Sequence, residues 1–136
     1  MKSLSTLIDL KQRDLDEKRR MLVQLEEEMD KLEVNAKVLR DELQREANIA
    51  AEQPEMARYF GEFAKGNEMK QETLRENKKT LSKLIEAQRD AITGAFAELK
   101  QLEIAKEMKD EEEAATLKRK EDAELDEIGL RGFTAD

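Results

Sequence analysis

Ile8, Leu15, Leu22, Met29, Ala36, Leu43 and Ala50 stand seven residues apart, and Leu4, Leu25, Leu32 and Leu39 fill a second line four residues ahead of it. A spacing that alternates four and three keeps one stripe of a helix turned toward a partner, so this stripe must be buried against another helix. The second half of the chain answers with Leu74, Leu81, Ile85, Gln88, Ile92, Ala95, Leu99 and Leu102. The expected fold is therefore all-α: a long antiparallel two-helix coiled-coil hairpin with a short aromatic-rich turn segment and a protruding C-terminal helix. A rod of that kind has no concave, water-excluding pocket, and the chain is not expected to be an enzyme.

Composition narrows the function further. Charged residues make up 43% of the chain and aromatics 4%, a balance that suits solvated helices and starves a globular core. Acidic residues outnumber basic ones 33 to 25, and a net charge of -8 argues against nucleic acid as a partner, because phosphate neutralisation needs a basic surface. With no cysteine and no histidine, disulfides, thiol nucleophiles, imidazole catalysis and zinc-finger ligand sets are excluded. No Gly-rich phosphate loop or metal-ligand spacing occurs, and no cofactor is expected. The first residues reach charge too soon for a signal sequence, and no apolar run approaches a membrane span, so the reading is cytoplasmic, without direct membrane insertion.

A single coiled-coil domain, 1–136, is expected in four parts: a first helix over 3–51, a turn segment over 52–66 carrying a short helix, a second helix over 67–128, and a flexible tail over 129–136. Acid-before-base pairs four apart line the outer face of the first helix, Asp14 with Lys18, Asp16 with Arg20, Glu27 with Lys31, Glu33 with Lys37 and Asp41 with Arg45. Each contributes roughly 0.2–0.5 kcal/mol. Pro54 bars a simple continuation but suits the first turn of a new helix. Asn67 is placed to cap the second helix, and Gly129 and Gly132 mark its end.

Folding the chain back about residues 58 and 59 pairs Leu43 with Leu74, Ala36 with Leu81, Leu32 with Ile85, Met29 with Gln88, Leu25 with Ile92, Leu22 with Ala95, Lys18 with Leu99 and Leu15 with Leu102. Moving every partner by one heptad preserves the alternation, so only the turn position favours this register. It also sets Lys11 opposite Lys106 and Ile8 opposite Lys109, and leaves residues from Leu117 onward without a partner. Two lysines in one layer are costly to desolvate, so that end should splay, snorkel its ammonium groups, or be held by another protein.

Three groups stand out as binding candidates. Met56, Tyr59, Phe60 and Phe63 either form a docking surface at the tip or close the turn onto Leu43 and Leu74. Lys11, Arg13, Lys18, Arg19 and Arg20, with Lys118, Arg119 and Lys120, are either a solvated face or a cationic end that enters an acidic ring or pore. Leu125, Ile128, Leu130 and Phe133 lie beyond the seam and are either a docking peptide or a segment folded back over the hairpin.

Four stretches carry a resemblance: Leu4-x-x-Leu7-Ile8-x-Leu10 followed by Leu15-Asp16-Glu17-Lys18-Arg19-Arg20; Pro54-Glu55 with Tyr59 to Phe63; Phe96-Ala97-Glu98-Leu99-Lys100; and Glu124-Leu125-Asp126-Glu127-Ile128. In these the chain resembles the flagellar export protein FliJ family in its alphaproteobacterial form. The resemblance implies a stalk similar to that of rotary ATPases. Its open end would enter the export ATPase ring through Lys11, Arg13, Lys18, Arg19, Arg20 and the C-terminal helix. Tyr59, Phe60 and Phe63 would meet the cytoplasmic domain of the membrane export gate, placing the protein at the cytoplasmic face of the inner membrane at the flagellar base. It further implies binding of export chaperones and a protein that is monomeric alone. The alternatives are a scaffold coiled coil acting by self-association, a clamp for unfolded clients, and the equivalent stalk of a virulence type III secretion system.

Overall fold

The computed structural model describes residues 2–134. It is all-helical among those residues: α1 spans Lys2–Glu52, a single 3-10 turn covers Pro54–Met56, and α2 spans Ala57–Thr134. The break is shorter than the sequence suggests, and Pro54 explains why. The residue before a proline is pushed out of the helical region, and Gln53 is extended at φ -126, ψ 92. Its N–H still donates to the Ile49 carbonyl at 2.9 Å, so α1 keeps its last turn. Pro54 then opens the 3-10 turn, where its fixed φ fits and its missing N–H costs nothing. The Met56 N–H closes on the Gln53 carbonyl at 2.9 Å, and the Ala57 N–H on that of Pro54.

Two expected boundaries change as a result. The segment 52–66 is not a separate element, since residues from Ala57 already belong to α2, and Gly61 and Gly66 are accommodated as helical residues with negative φ. Asn67 is consequently inside α2 and caps nothing. At the other end α2 continues through Gly129 and Gly132 to Thr134, where a tail was expected from residue 129. Ala135 and Asp136 lie outside the described residues.

The chain divides into two compact units, one formed by 1–15 with 94–136 and the other by 16–93. Within the second unit α1 and α2 run in opposite directions. The Gln88 amide donates to the Lys18 carbonyl at 2.9 Å, Arg89 lies 3.8 Å from Glu26, and the Asn67 amide donates to the Leu39 carbonyl at 2.9 Å. These are not the partners given by a fold-back about residues 58 and 59, which would set Asn67 opposite Ala50 and Gln88 opposite Met29. The turn is centred on Glu55 instead. That centre moves every partner by one heptad and places Asn67 opposite Leu43 and Gln88 opposite Leu22. Each amide then reaches the carbonyl one turn back from the residue it faces.

Among the described residues of α2, the line of lowest exposure runs through Phe60, Asn67, Leu74, Leu81, Gln88, Ala95, Leu102 and Lys109, with Gln71, Ile85, Ile92 and Leu99 between them. On α1 it runs through Ile8, Leu15, Leu22, Met29, Ala36, Leu43 and Ala50, with Leu25, Leu32 and Leu39 between them. Leu15, Ile85, Ala95 and Leu99 are the buried apolar residues, Leu15 at 1% exposure. On the outer face Lys31 pairs with Glu28 at 3.4 Å and Arg19 with Asp16 at 3.8 Å, both at three-residue spacing. Such exposed pairs contribute little to stability.

Candidate functional site

In the unit built from 1–15 and 94–136, Leu15, Ala95 and Leu99 form the buried centre. Lys11 does not face Lys106. Its Nζ reaches Glu98 at 3.3 Å, and that of Lys106 reaches Asp110 at 2.9 Å. The hydrogen bond raises the Lys106 pKa and lowers that of the Asp110 carboxyl, so both hold their charge near neutral pH. The expected layer of Lys11 against Lys106 is thus not formed, and Lys106 and Lys109 are half-buried.

From Asp110 to Gly132 every residue is exposed on a helix. The unpartnered segment was expected from Leu117; the one-heptad change of register starts it at Asp110. Lys118, Arg119 and Lys120 lie within it, with Arg119 donating to the Thr116 hydroxyl at 3.4 Å. Leu125, Ile128 and Leu130 are exposed in the same segment, and the Phe133 side chain lies outside the described residues. Leu125 and Ile128 are three apart and share a face, whereas Leu130 falls on another. Leu125, Ile128 and Leu130 therefore do not form one surface.

The basic group also separates. Arg13, Arg19 and Arg20 are exposed, but Lys11 and Lys18 occupy the half-buried lines, Lys18 with its carbonyl accepting the Gln88 amide. Lys11 and Arg13 belong to one compact unit and Lys18, Arg19 and Arg20 to the other. The aromatic group divides likewise: Phe60 and Phe63 are half-buried, Phe63 lining a groove of about 150 Å³ with Leu39, Glu42 and Asn67, while Tyr59 points outward at 76% exposure.

Asn67 is the polar residue that sequence reasoning misplaced. It is 4% exposed, donates to the Leu39 carbonyl, and accepts from the Gln71 amide. The signal was present in its spacing, seven residues before Leu74 on the line through Leu81, Gln88, Ala95 and Leu102.

Depressions along residues 103–120 are lined by α2 alone and enclose nothing. Among the described residues no group of three or more His, Cys, Asp or Glu side chains converges on a metal-sized site. No described helix is long and apolar enough to cross a membrane. Comparison of the chain with protein-family models, curated proteins and solved structures returns no match.

Proposed function

We propose that this chain is a stalk-like coupling protein of the FliJ type, built on an antiparallel coiled-coil hairpin centred on Glu55 and acting between an export ATPase ring and the cytoplasmic domain of a membrane export gate. The observation that carries the reading is the segment from Asp110 to Gly132, a helix exposed along its whole described length. Charged residues spread over all its faces keep it in water, and its few apolar side chains remain available to a partner. The antiparallel contacts at Lys18, Glu26 and Leu39 are compatible with a hairpin, and the four resembling stretches supply the family.

On this reading the ATPase-facing residues are Arg13 and the Lys118, Arg119 and Lys120 block. Lys11 and Lys18 act in the seam. Tyr59 is the gate-facing aromatic, because Phe60 and Phe63 are already partly covered. Chaperone binding and residence at the cytoplasmic face of the inner membrane follow from the same reading. Removing residues 114–136 should leave the hairpin helical and weaken both binding and stimulation of the export ATPase. Undiminished stimulation by the shortened chain refutes the assignment.

A further inference from the structure

Pro54 stops α1 at Glu52, whereas the first turns of α2 are weakly held. No residue over 57–66 is buried, and Gly61 and Gly66 stand there without steric need: both have negative φ, and a Cβ on either meets nothing within 4 Å. Each weakens a helix that alanine would support. Farther along the 16–93 unit, the seam tolerates a second alignment. The observed one joins Ala36 with Leu74, Met29 with Leu81 and Leu25 with Ile85. Displacing α2 by seven residues joins Leu43 with Leu74, Ala36 with Leu81, Leu32 with Ile85 and Leu25 with Ile92, so wholly apolar layers are not lost. Lys78 faces a leucine in both, Leu32 in one and Leu39 in the other.

We propose that these two features form one device: within the 16–93 unit α2 slides by one heptad along α1, and the seven residues released, 57–63, unwind into a longer turn. The residues must come from α2, because Pro54 bars α1 from taking them up. The step covers roughly 10 Å at 1.5 Å per residue. It is discrete, since an intermediate displacement turns the apolar stripe out of the seam. A loss of helix at one end of the unit thus becomes a movement along its length.

The displaced alignment is the minor one. Unwinding 57–63 exposes Phe60 and Phe63, which are half-buried, and the slide takes the Asn67 and Gln88 amides from the Leu39 and Lys18 carbonyls. This inference does not rest on the stalk reading, since it needs only the seam and the turn.

The test uses the full chain, which has no cysteine, with oxidation slow enough that disulfide closure reports how often each alignment is visited. Leu25→Cys/Ile85→Cys samples the observed alignment and Leu32→Cys/Ile85→Cys the displaced one. Leu39→Cys/Ile85→Cys samples a two-heptad displacement, which would unwind 57–70. The Leu32 pair should close on the order of tenfold faster than the Leu39 pair, which requires twice the unwinding. Equal rates mean that closure follows separation of the helices, and overturn the proposal. Gly61→Ala should slow closure of the Leu32 pair by about two- to fivefold and leave that of the Leu25 pair unchanged. Gly61→Pro, which disfavours a helix interior, should hasten closure of the Leu32 pair. A Leu32 pair indifferent to both substitutions refutes the link between turn and seam. Once closed, the Leu32 pair should lose hydrogen-exchange protection over 57–63 and keep it over 67–93. Loss across the whole unit would show that the displaced alignment is not a fold, and protection retained over 57–63 that it needs no unwinding; either result overturns the proposal.

Discussion

The register centred on Glu55 predicts which residues of α1 and α2 can be bridged. Leu25 should face Ile85, whereas a fold-back about residues 58 and 59 sets Leu32 there. The two arrangements differ by one heptad, roughly 10 Å along the helix axis at 1.5 Å per residue. A disulfide closes only when the Cα atoms lie about 4.4–6.8 Å apart, so one register cannot serve both pairs without the helices sliding. The preference between them follows from the two amides. Asn67 and Gln88 each make a hydrogen bond across the helix pair to a main-chain carbonyl at 2.9 Å. At a net contribution of about 1 kcal/mol each, they favour the observed register by about 2 kcal/mol, some thirtyfold. In a chain without cysteine, Leu25→Cys/Ile85→Cys should therefore oxidise to an intramolecular disulfide in dilute solution. Leu32→Cys/Ile85→Cys should close on the order of thirtyfold more slowly. Intact mass under non-reducing conditions distinguishes closed from open chains, and circular dichroism of the reduced forms establishes that both variants are folded. Equal or faster closure of the Leu32 pair refutes the register.

Asn67→Leu should raise the melting temperature, since a buried leucine contributes about 1.5–3 kcal/mol against about 1 kcal/mol for the lost hydrogen bond; the same change should narrow the difference in closure rate between the two cysteine pairs. Leu15→Ala, at the most buried leucine, should cost about 2–5 kcal/mol in urea unfolding, while Leu117→Ala in dilute monomer should stay within about 0.5 kcal/mol. Gly94→Ala should stabilise the chain by about 0.5–1 kcal/mol, because a Cβ there meets nothing within 4 Å and the helix loses a flexible residue. A destabilised Gly94→Ala would mean that the outer face of α2 is covered in solution.

Helical content and the two least-exposed lines were legible in the sequence because side-chain chemistry and helix period carry the same information. Leucine at four-and-three spacing has one good outcome over fifty residues, and no β-propensity competes with it. The turn was harder to read. Three aromatics and two glycines between Glu52 and Gly66 look like a separate element, but glycine only weakens a helix that tertiary packing supports, and a single 3-10 turn at Pro54 is all that separates α1 from α2. The candidate binding groups were the least legible. Membership in them was argued from residue type, whereas the heptad position decides whether Lys18 or Arg19, Phe60 or Tyr59, lies in the seam or faces water.

The difference in register has one physical origin. A heptad seam repeats, so apolar burial is almost unchanged when one helix slides past the other by seven residues, and leucine cannot fix the alignment. Only features that occur once can do so. Pro54 sets where the chain reverses. Asn67 and Gln88 are seam residues whose amides must find an acceptor, and Lys11 is a seam cation paired with Glu98. The residues least suited to a seam by hydrophobicity are thus the ones that specify it, and each would be read from composition alone as a defect. Moving the alignment back by one heptad leaves both amides without their carbonyls and sets Lys11 against Lys106. It also withdraws one heptad from the exposed helix beyond Asp110, so the same few polar groups that fix the register set how much of α2 is left for a partner.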